Sequence, residues 1–318
     1  MASSLASHTF TAEHKASNKL INKTEIQNDP KKESMNHTPV IIVGMARSGT
    51  TLVSHVLGSL PNVHIEVEPH ALWKSGNFKY LSDEEYNLSP AVINNIRKKF
   101  TENLGSKILV EKSPINCLRP HLVHAVFPEA KIVYIERDPV RCIYSNYSRS
   151  LKNDSFKLSI IVRKYFKYTG SADLSGAISE RKLFQQIKVS DVPAFASYTA
   201  RMFYLRQVKK ILPFGPKLKN FVSIVKEKGL LAYHVDVYKR SLKYKEVYKD
   251  LYGSNMQSFK MEDIMMNKEK TEELIKFSGI PYGKDALETI QQTFDKERIK
   301  DAVKTQNIDE EIFALLKN

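Results

Sequence analysis

The stretch Ile41–Leu57, IIVGMARSGTTLVSHVL, runs from a buried-strand pattern through a turn bracketed by Gly44 and Gly49 into an apolar-periodic helix. That order confines the chain to folds in which a strand feeds a helix N-terminus. Glycine at each end lets the backbone bend tightly, so the amides opening the helix point outward, with the positive end of the helix dipole behind them. Such a cradle suits a phosphate. Its nucleoside-triphosphate version, G-x-x-x-x-G-K-[ST], puts a lysine after the second glycine to reach the outer phosphates. Thr50 stands there instead, and Thr51 adds a second hydroxyl. Arg47 supplies a cation from within the turn, where a guanidinium offers several planar donors to phosphate oxygens.

From Thr38 the pattern alternates strand and helix. PVIIVGM reads as a first strand, SGTTLVSHVLGSL as a helix, and NVHIEVE as a second strand with Val63, Ile65 and Val67 on one face and Glu66 and Glu68 together on the other. KILVEK follows as a third strand, NCLRPHLVHAVF as one helix with Pro120 near its first turn, and AKIVYIER as a fourth strand. Asp138 and Pro139 then supply a cap and a first-position proline for the helix VRCIYSNYSRSL. Alternation of this kind predicts an α/β fold, a P-loop-type three-layer sandwich whose central parallel sheet is flanked by helices and binds ligands at the carboxyl ends of its strands. Residues 38–318 read as one domain with a mainly helical insertion at about 155–252 on the acceptor side, and residues 1–37 as a disordered tail rich in Ser, Asn and Lys. MQSFKM is a short later strand, and EDIMMNKEKTEELIKFSGI a helix that stops at Gly279 before Pro281.

With 49 Lys and Arg against 35 Asp and Glu, the net charge of +14 favours anionic partners: nucleotides, sulfated or phosphorylated substrates, nucleic acid or membrane surfaces. No apolar run is long enough for a secretory signal or a membrane anchor, so the expectation is a soluble cytoplasmic protein with no membrane partner. Cys117 and Cys142 share no metal-ligand spacing with histidines and read as small core residues.

A second anion site is legible in IERDPVRCIYSNYSRS. Arg137 stands at the carboxyl end of the fourth strand and Ser145 two helical turns beyond it, close enough to serve one anion at the sheet edge that also carries the turn. Two such sites call for a ligand with two separated phosphates. Together these elements resemble sulfotransferases that use 3′-phosphoadenosine 5′-phosphosulfate (PAPS). The resemblance implies that Arg47, Ser48, Gly49, Thr50 and Thr51 bind the 5′-phosphosulfate, and that Arg137 and Ser145, eight residues apart, bind the 3′-phosphate. FKMEDIMMNKEKTEELIKFSGIPY is similar to the family's C-terminal strand, acidic pair and helix, so the resemblance spans about residues 39–283. PAPS carries no γ-phosphate, which accounts for the missing lysine.

The same resemblance implies the catalysts. In cytosolic-type members a histidine after the third strand is the base, but Pro114 occupies that place here. The chain is instead similar to the glutamate-base branch of Golgi, tyrosylprotein-type and many bacterial members, with Glu68 as base and His70 in reserve. Lys112 and Arg47 would flank the oxygen bridging phosphate and sulfate. His70 and Trp73 would line the acceptor side, although Trp73 reads equally well as a packing anchor. Met261 stands where many members place an aromatic residue, and a glycine-rich 3′-phosphate loop is missing, for which a late cation such as Lys304 could substitute. The implied reaction moves a sulfuryl group from PAPS to a hydroxyl, or an amine, of a small molecule or saccharide, with no metal. Two alternatives stand beside it. One is a P-loop kinase of nucleotides or small molecules, disfavoured by the absent lysine. The other is a basic nucleic-acid-binding protein, best supported by the Tyr/Lys run from Tyr233 to Tyr252, a run that also fits an amphipathic helix.

Overall fold

The computed structural model describes residues 37–102, 104–151, 188–301 and 309–317. Four consecutive apolar residues form β1 (Val40–Val43), buried throughout, as a central parallel strand covered on both faces must be. Around it β2 (Val63–Val67), β3 (Ile108–Lys112), β4 (Lys131–Glu136) and β5 (Met256–Lys260) complete a sheet of order β2-β3-β1-β4-β5 in which every pairing is parallel. The connection from β1 to β2 runs one way across the sheet and all later connections run the other. Right-handed crossovers therefore send the connecting helices to opposite faces.

On one face lies α1 (Thr50–Gly58), whose Val53, Val56 and Leu57 pack with Val40, Ile42, Val110 and Val133. The C-terminal helices α8 (Met261–Met266), α9 (Lys268–Ser278) and α10 (Lys284–Asp301) join that core through Ile264, Leu274 and Phe294. The other face carries α2 (His70–Trp73), α3 (Pro90–Thr101), α4 (Pro120–Val126), α5 (Pro139–Leu151) and α7 (Phe221–Tyr252), with α6 (Val192–Gln207) preceding α7 and α11 (Asp309–Lys317) packing against α5 and α7. The three-layer sandwich of P-loop type is thus present. The expected tail through residue 36, residues 155–187 of the expected insertion, and Lys304 lie outside the described residues.

Several local expectations hold and several are corrected. Asp138 caps α5 by accepting from the Arg141 amide at 2.8 Å, with Pro139 at the first helical position. Gly279 ends α9 in the left-handed region. NCLRPHLVHAVF is not one helix: a 3₁₀ turn over Pro114–Leu118 ends at Arg119, and Pro120 starts α4, because proline fits a first position better than an interior one. EDIMMNKEKTEELIKFSGI likewise divides at Asn267, whose side chain accepts from the Glu269 amide and begins α9 anew. The Tyr/Lys run belongs to a longer α7 that bends at Gly229. Its Tyr233, Tyr248 and Tyr252 are buried, with hydroxyls donated to the carbonyls of Pro216, Asn116 and Phe127. They are core residues rather than a stacking platform.

One buried carboxylate joins segments far apart in sequence. Asp83 accepts from the Arg119 guanidinium, lies 3.7 Å from the Lys74 ammonium, and exchanges two hydrogen bonds with the backbone of Lys217. Although burial opposes ionisation, Arg119, Lys74 and Lys217 together hold the Asp83 carboxyl down at about 2. Burial conversely lowers Lys74 to about 7, and its Nζ donates to the carbonyls of Tyr80 and Ser82. Asp83→Ala leaves Arg119 buried without its counter-ion, so chemical denaturation should show a loss of about 3–5 kcal/mol.

Candidate active site

The carboxyl ends of β1, β2, β3 and β4 meet at one edge of the sheet, and each contributes candidate side chains there. Between β1 and α1 the backbone passes through two left-handed residues, Arg47 (φ 70°) and Gly49 (φ 98°). Gly49 is required twice over. Its φ disfavours any side chain, and a Cβ there would lie 2.5 Å from the sulfur of Met261. Met261, in place of an aromatic residue, is therefore a buried prop beneath the turn. Ser48 is buried with its hydroxyl oxygen unpartnered, whereas Arg47 and Thr51 are exposed.

The turn and the second anion element come together. Arg47 Nε donates to Ser145 Oγ at 3.0 Å, and Arg137 Nη1 donates to the Arg47 carbonyl at 2.9 Å. Side chains separated by 98 positions thus bracket one spot at the end of β4. The neighbouring acid of the C-terminal pair, Glu262, accepts from the Asp138 amide at 3.1 Å and ties the end of β5 to that of β4.

At the ends of β2 and β3 a second group assembles. Lys112 has no exposed side-chain surface, and its Nζ donates at 2.8 Å both to Thr51 Oγ1 and to Glu68 Oε1. The other oxygen of Glu68 is 3.3 Å from His70 Nε2. Glu66 and Glu68 do not share a face, contrary to the alternation expected of a continuing strand. β2 stops at Val67, and Glu68 turns into the left-handed region (φ 53°), with its amide donated to the Lys112 carbonyl. This redirects its carboxylate to Lys112 on the α1 side, while Glu66 stays on the opposite face beside His64 at 3.0 Å. Trp73 also departs from the acceptor-wall reading. It is wholly buried, packs on Phe100 and Phe127, and donates its indole to Glu111 at 2.8 Å.

Three participants escaped the sequence reading. Asn146 and Cys142 both donate to the Ala46 carbonyl inside the turn, at 2.6 and 3.5 Å, and burial pushes the Cys142 thiol up to about 12, so the proton is retained. Glu111, the third, sits in the core among Trp73, Asn116 and Lys112. Only their position one helical turn apart in α5, and beside a strand-end lysine, could have marked them.

With this geometry in view, comparison with known proteins is informative. Residues 39–174, which carry every candidate side chain above except Met261 and Glu262, match the model described as the sulfotransferase family. This segment resembles the sulfotransferase family. Among solved structures, the chain is similar to the sulfotransferase domain from the curacin biosynthetic pathway, at 14% identity over 89% of this chain and 98% of that one with a TM-score of 0.47. It is similar to the sulfotransferase domain from the Synechococcus PCC 7002 olefin synthase, at 14% identity over 92% and 97% with a TM-score of 0.47. Mouse sulfotransferase SULT7A1 complexed with PAP is similar at 14% identity over 86% and 68%, with a TM-score of 0.41. No curated protein matches the chain. No helix among the described residues is long and apolar enough to cross a membrane.

Within the matched segment Glu111 offers a direct readout. Burial raises its carboxyl to about 7, reinforced by Glu66 and opposed by the Trp73 indole and the Lys112 charge. A carboxyl raised above its unfolded value favours the native state while protonated, so this contribution to stability falls as pH rises from about 4.5 to about 7 and is flat above. Trp73 is the sole tryptophan, so intrinsic fluorescence should titrate with a midpoint near 7, and Glu111→Gln should abolish that transition.

Proposed function

We propose that the protein transfers a sulfuryl group from PAPS to a hydroxyl, or an amine, of a small-molecule or saccharide acceptor. The observation that carries this reading is the junction of Arg47, Ser145 and Arg137, which unites two anion-binding elements on one sheet edge. The turn fits a phosphosulfate: Ser48 keeps an unpartnered buried hydroxyl, Gly49 excludes a side chain, and Thr50 and Thr51 open α1. Arg47, Ser48, Gly49, Thr50 and Thr51 would hold the 5′ end of PAPS, and Arg137 with Ser145 its 3′-phosphate. When bound, PAPS supplies an activated sulfuryl group and a phosphate leaving group.

Glu68 takes the proton from the acceptor, since its carboxylate is about one-third exposed and its Oε2 faces His70 rather than Lys112. Lys112 and Arg47 stabilise the negative charge that develops on the leaving phosphate. His70 borders the acceptor side, where Trp73 contributes only by supporting α2 from below. Residues 38–318 act as one catalytic domain, and the buried free thiols of Cys117 and Cys142 favour a reducing, cytoplasmic setting.

Calorimetric titration with adenosine 3′,5′-bisphosphate, and separately with ATP and Mg²⁺, tests the reading. Wild type should bind the bisphosphate and not ATP. Arg137→Ala should weaken the bisphosphate at least about tenfold, the loss of a charge-assisted contact worth about 1.5–3 kcal/mol. Glu68→Gln should keep bisphosphate affinity while losing turnover by about 10²–10⁴-fold. Affinity for ATP without the bisphosphate would replace this reading with a kinase. Salt-sensitive retention on DNA with neither ligand bound would replace it with a nucleic-acid binder.

A further inference from the structure

Behind the phosphate turn a polar column crosses the protein interior, and the catalytic scheme above leaves it unused. Asn146 is fully buried, and its Nδ2 donates to the carbonyls of Ala46 and Cys142 at 2.6 and 2.8 Å. Those two carbonyls fix the orientation of the amide, since the flipped rotamer would set oxygen against oxygen at both. The backbone carbonyl of Asn146 accepts from Ser150 Oγ at 3.1 Å, and Ser150 Oγ lies 2.7 Å from Nε2 of buried His234 in α7. Burial lowers His234 to about 3, so the ring is neutral. A proton on Nε2 then lets His234 and the Phe214 amide both donate to Ser150 while Ser150 donates to the Asn146 backbone carbonyl.

The column ends on the peptide that matters most for ligand binding. In a trans peptide the N–H points away from the C=O, so anchoring the Ala46 carbonyl inward aims the Arg47 amide outward. The same peptide precedes Arg47 at φ 70°, from which the guanidinium reaches Ser145. A strap from Pro213 to Lys217 closes over the column: the Phe214 amide is held by Ser150, and a Cβ on Gly215 would come within 3.3 Å of both the Ala46 methyl and Asn146 Oδ1. The strap is tied at its far end to Asp83 through the Lys217 amide at 2.9 Å.

We propose that Asn146 is a positioning residue for the phosphate turn, holding the Ala46–Arg47 peptide in its anion-binding orientation through the bond from its side-chain amide to the Ala46 carbonyl, while Ser150 and His234 brace the turn of α5 that carries it. The inference rests on the sulfotransferase reading only for the identity of the anion. It assigns the loop's pre-organisation to a side chain that touches neither donor nor acceptor.

Two variants test it, Asn146→Leu, which keeps the branched outline but removes the amide donor to Ala46, and Ser150→Ala, which loosens the α5 backbone and the Phe214 strap behind it while leaving the Asn146 amide in place. Thermal unfolding and circular dichroism establish that each folds. Amide hydrogen exchange without ligand should then accelerate about tenfold or more across residues 44–51 and remain unchanged in β4. Calorimetry should show adenosine 3′,5′-bisphosphate affinity falling about tenfold in Asn146→Leu and less in Ser150→Ala. In turnover the donor KM should rise while the acceptor KM stays fixed. Combining Asn146→Leu with Arg47→Ala should cost less than the product of the separate losses, because both act through one turn. Unchanged exchange at residues 44–51 in a folded Asn146→Leu protein overturns the inference, as does full additivity with Arg47→Ala. If wild type binds no bisphosphate, the proposed function fails, and the exchange measurement still decides whether Asn146 anchors the turn.

Discussion

An ammonium with no exposed surface stands at the end of β3, and it persists only because fixed oxygens replace the water it has lost. Lys112 finds them in Thr51, on the first turn of α1, and in Glu68, just beyond β2. Each partner is thereby constrained. Thr51 locks the start of α1 against β3, which sets where the turn after β1 must end. Glu68 abandons strand geometry to reach the same nitrogen, and its backbone remains stitched to the Lys112 carbonyl. The arrangement of three strand ends follows from satisfying one buried charge.

A comparable economy operates on the other side of β1. Ala46, Arg47, Arg137 and Ser145 are held together by hydrogen bonds that run in both directions between turn and α5. Met261 fills the space over Gly49 from α8, so the turn is pressed between an amide on one flank and a thioether on another. Rigid support of this kind would lower the ordering cost of binding the anion proposed for this turn.

The sheet was legible because its strands are short apolar runs separated by helical periodicity, and the tight turn after β1 because Gly44 and Gly49 bracket it. Asp138 and Pro139 announced the start of α5 through capping chemistry alone, and Gly279 announced the end of α9. What escaped depended on tertiary partners. Alternation placed Glu66 and Glu68 on one face, since nothing local reveals that Glu68 will leave the strand to meet Lys112. Trp73 was assigned to the acceptor wall or to packing with equal reason, and its distant partners Phe100, Phe127 and Glu111 separate the two. Asn146 looks like any polar residue of an amphipathic helix until Ala46, 100 positions earlier, is set beside it. Proline at the head of α4 and asparagine at the head of α9 were visible in the sequence, yet long apolar periodicity concealed the breaks they mark.

Left-handed backbone at Arg47 and Glu68 carries an evolutionary implication. Each costs about 1–2 kcal/mol relative to the right-handed region, and glycine would relieve it at either position. Glycine would also delete the guanidinium that reaches Ser145 or the carboxylate that meets Lys112. Selection for heat resistance alone therefore pushes these two positions toward side-chain loss, while selection for ligand chemistry pushes back. Gains in robustness must accordingly come from elsewhere in the molecule, and the strain at these two residues stays as a standing charge on any lineage that keeps the site.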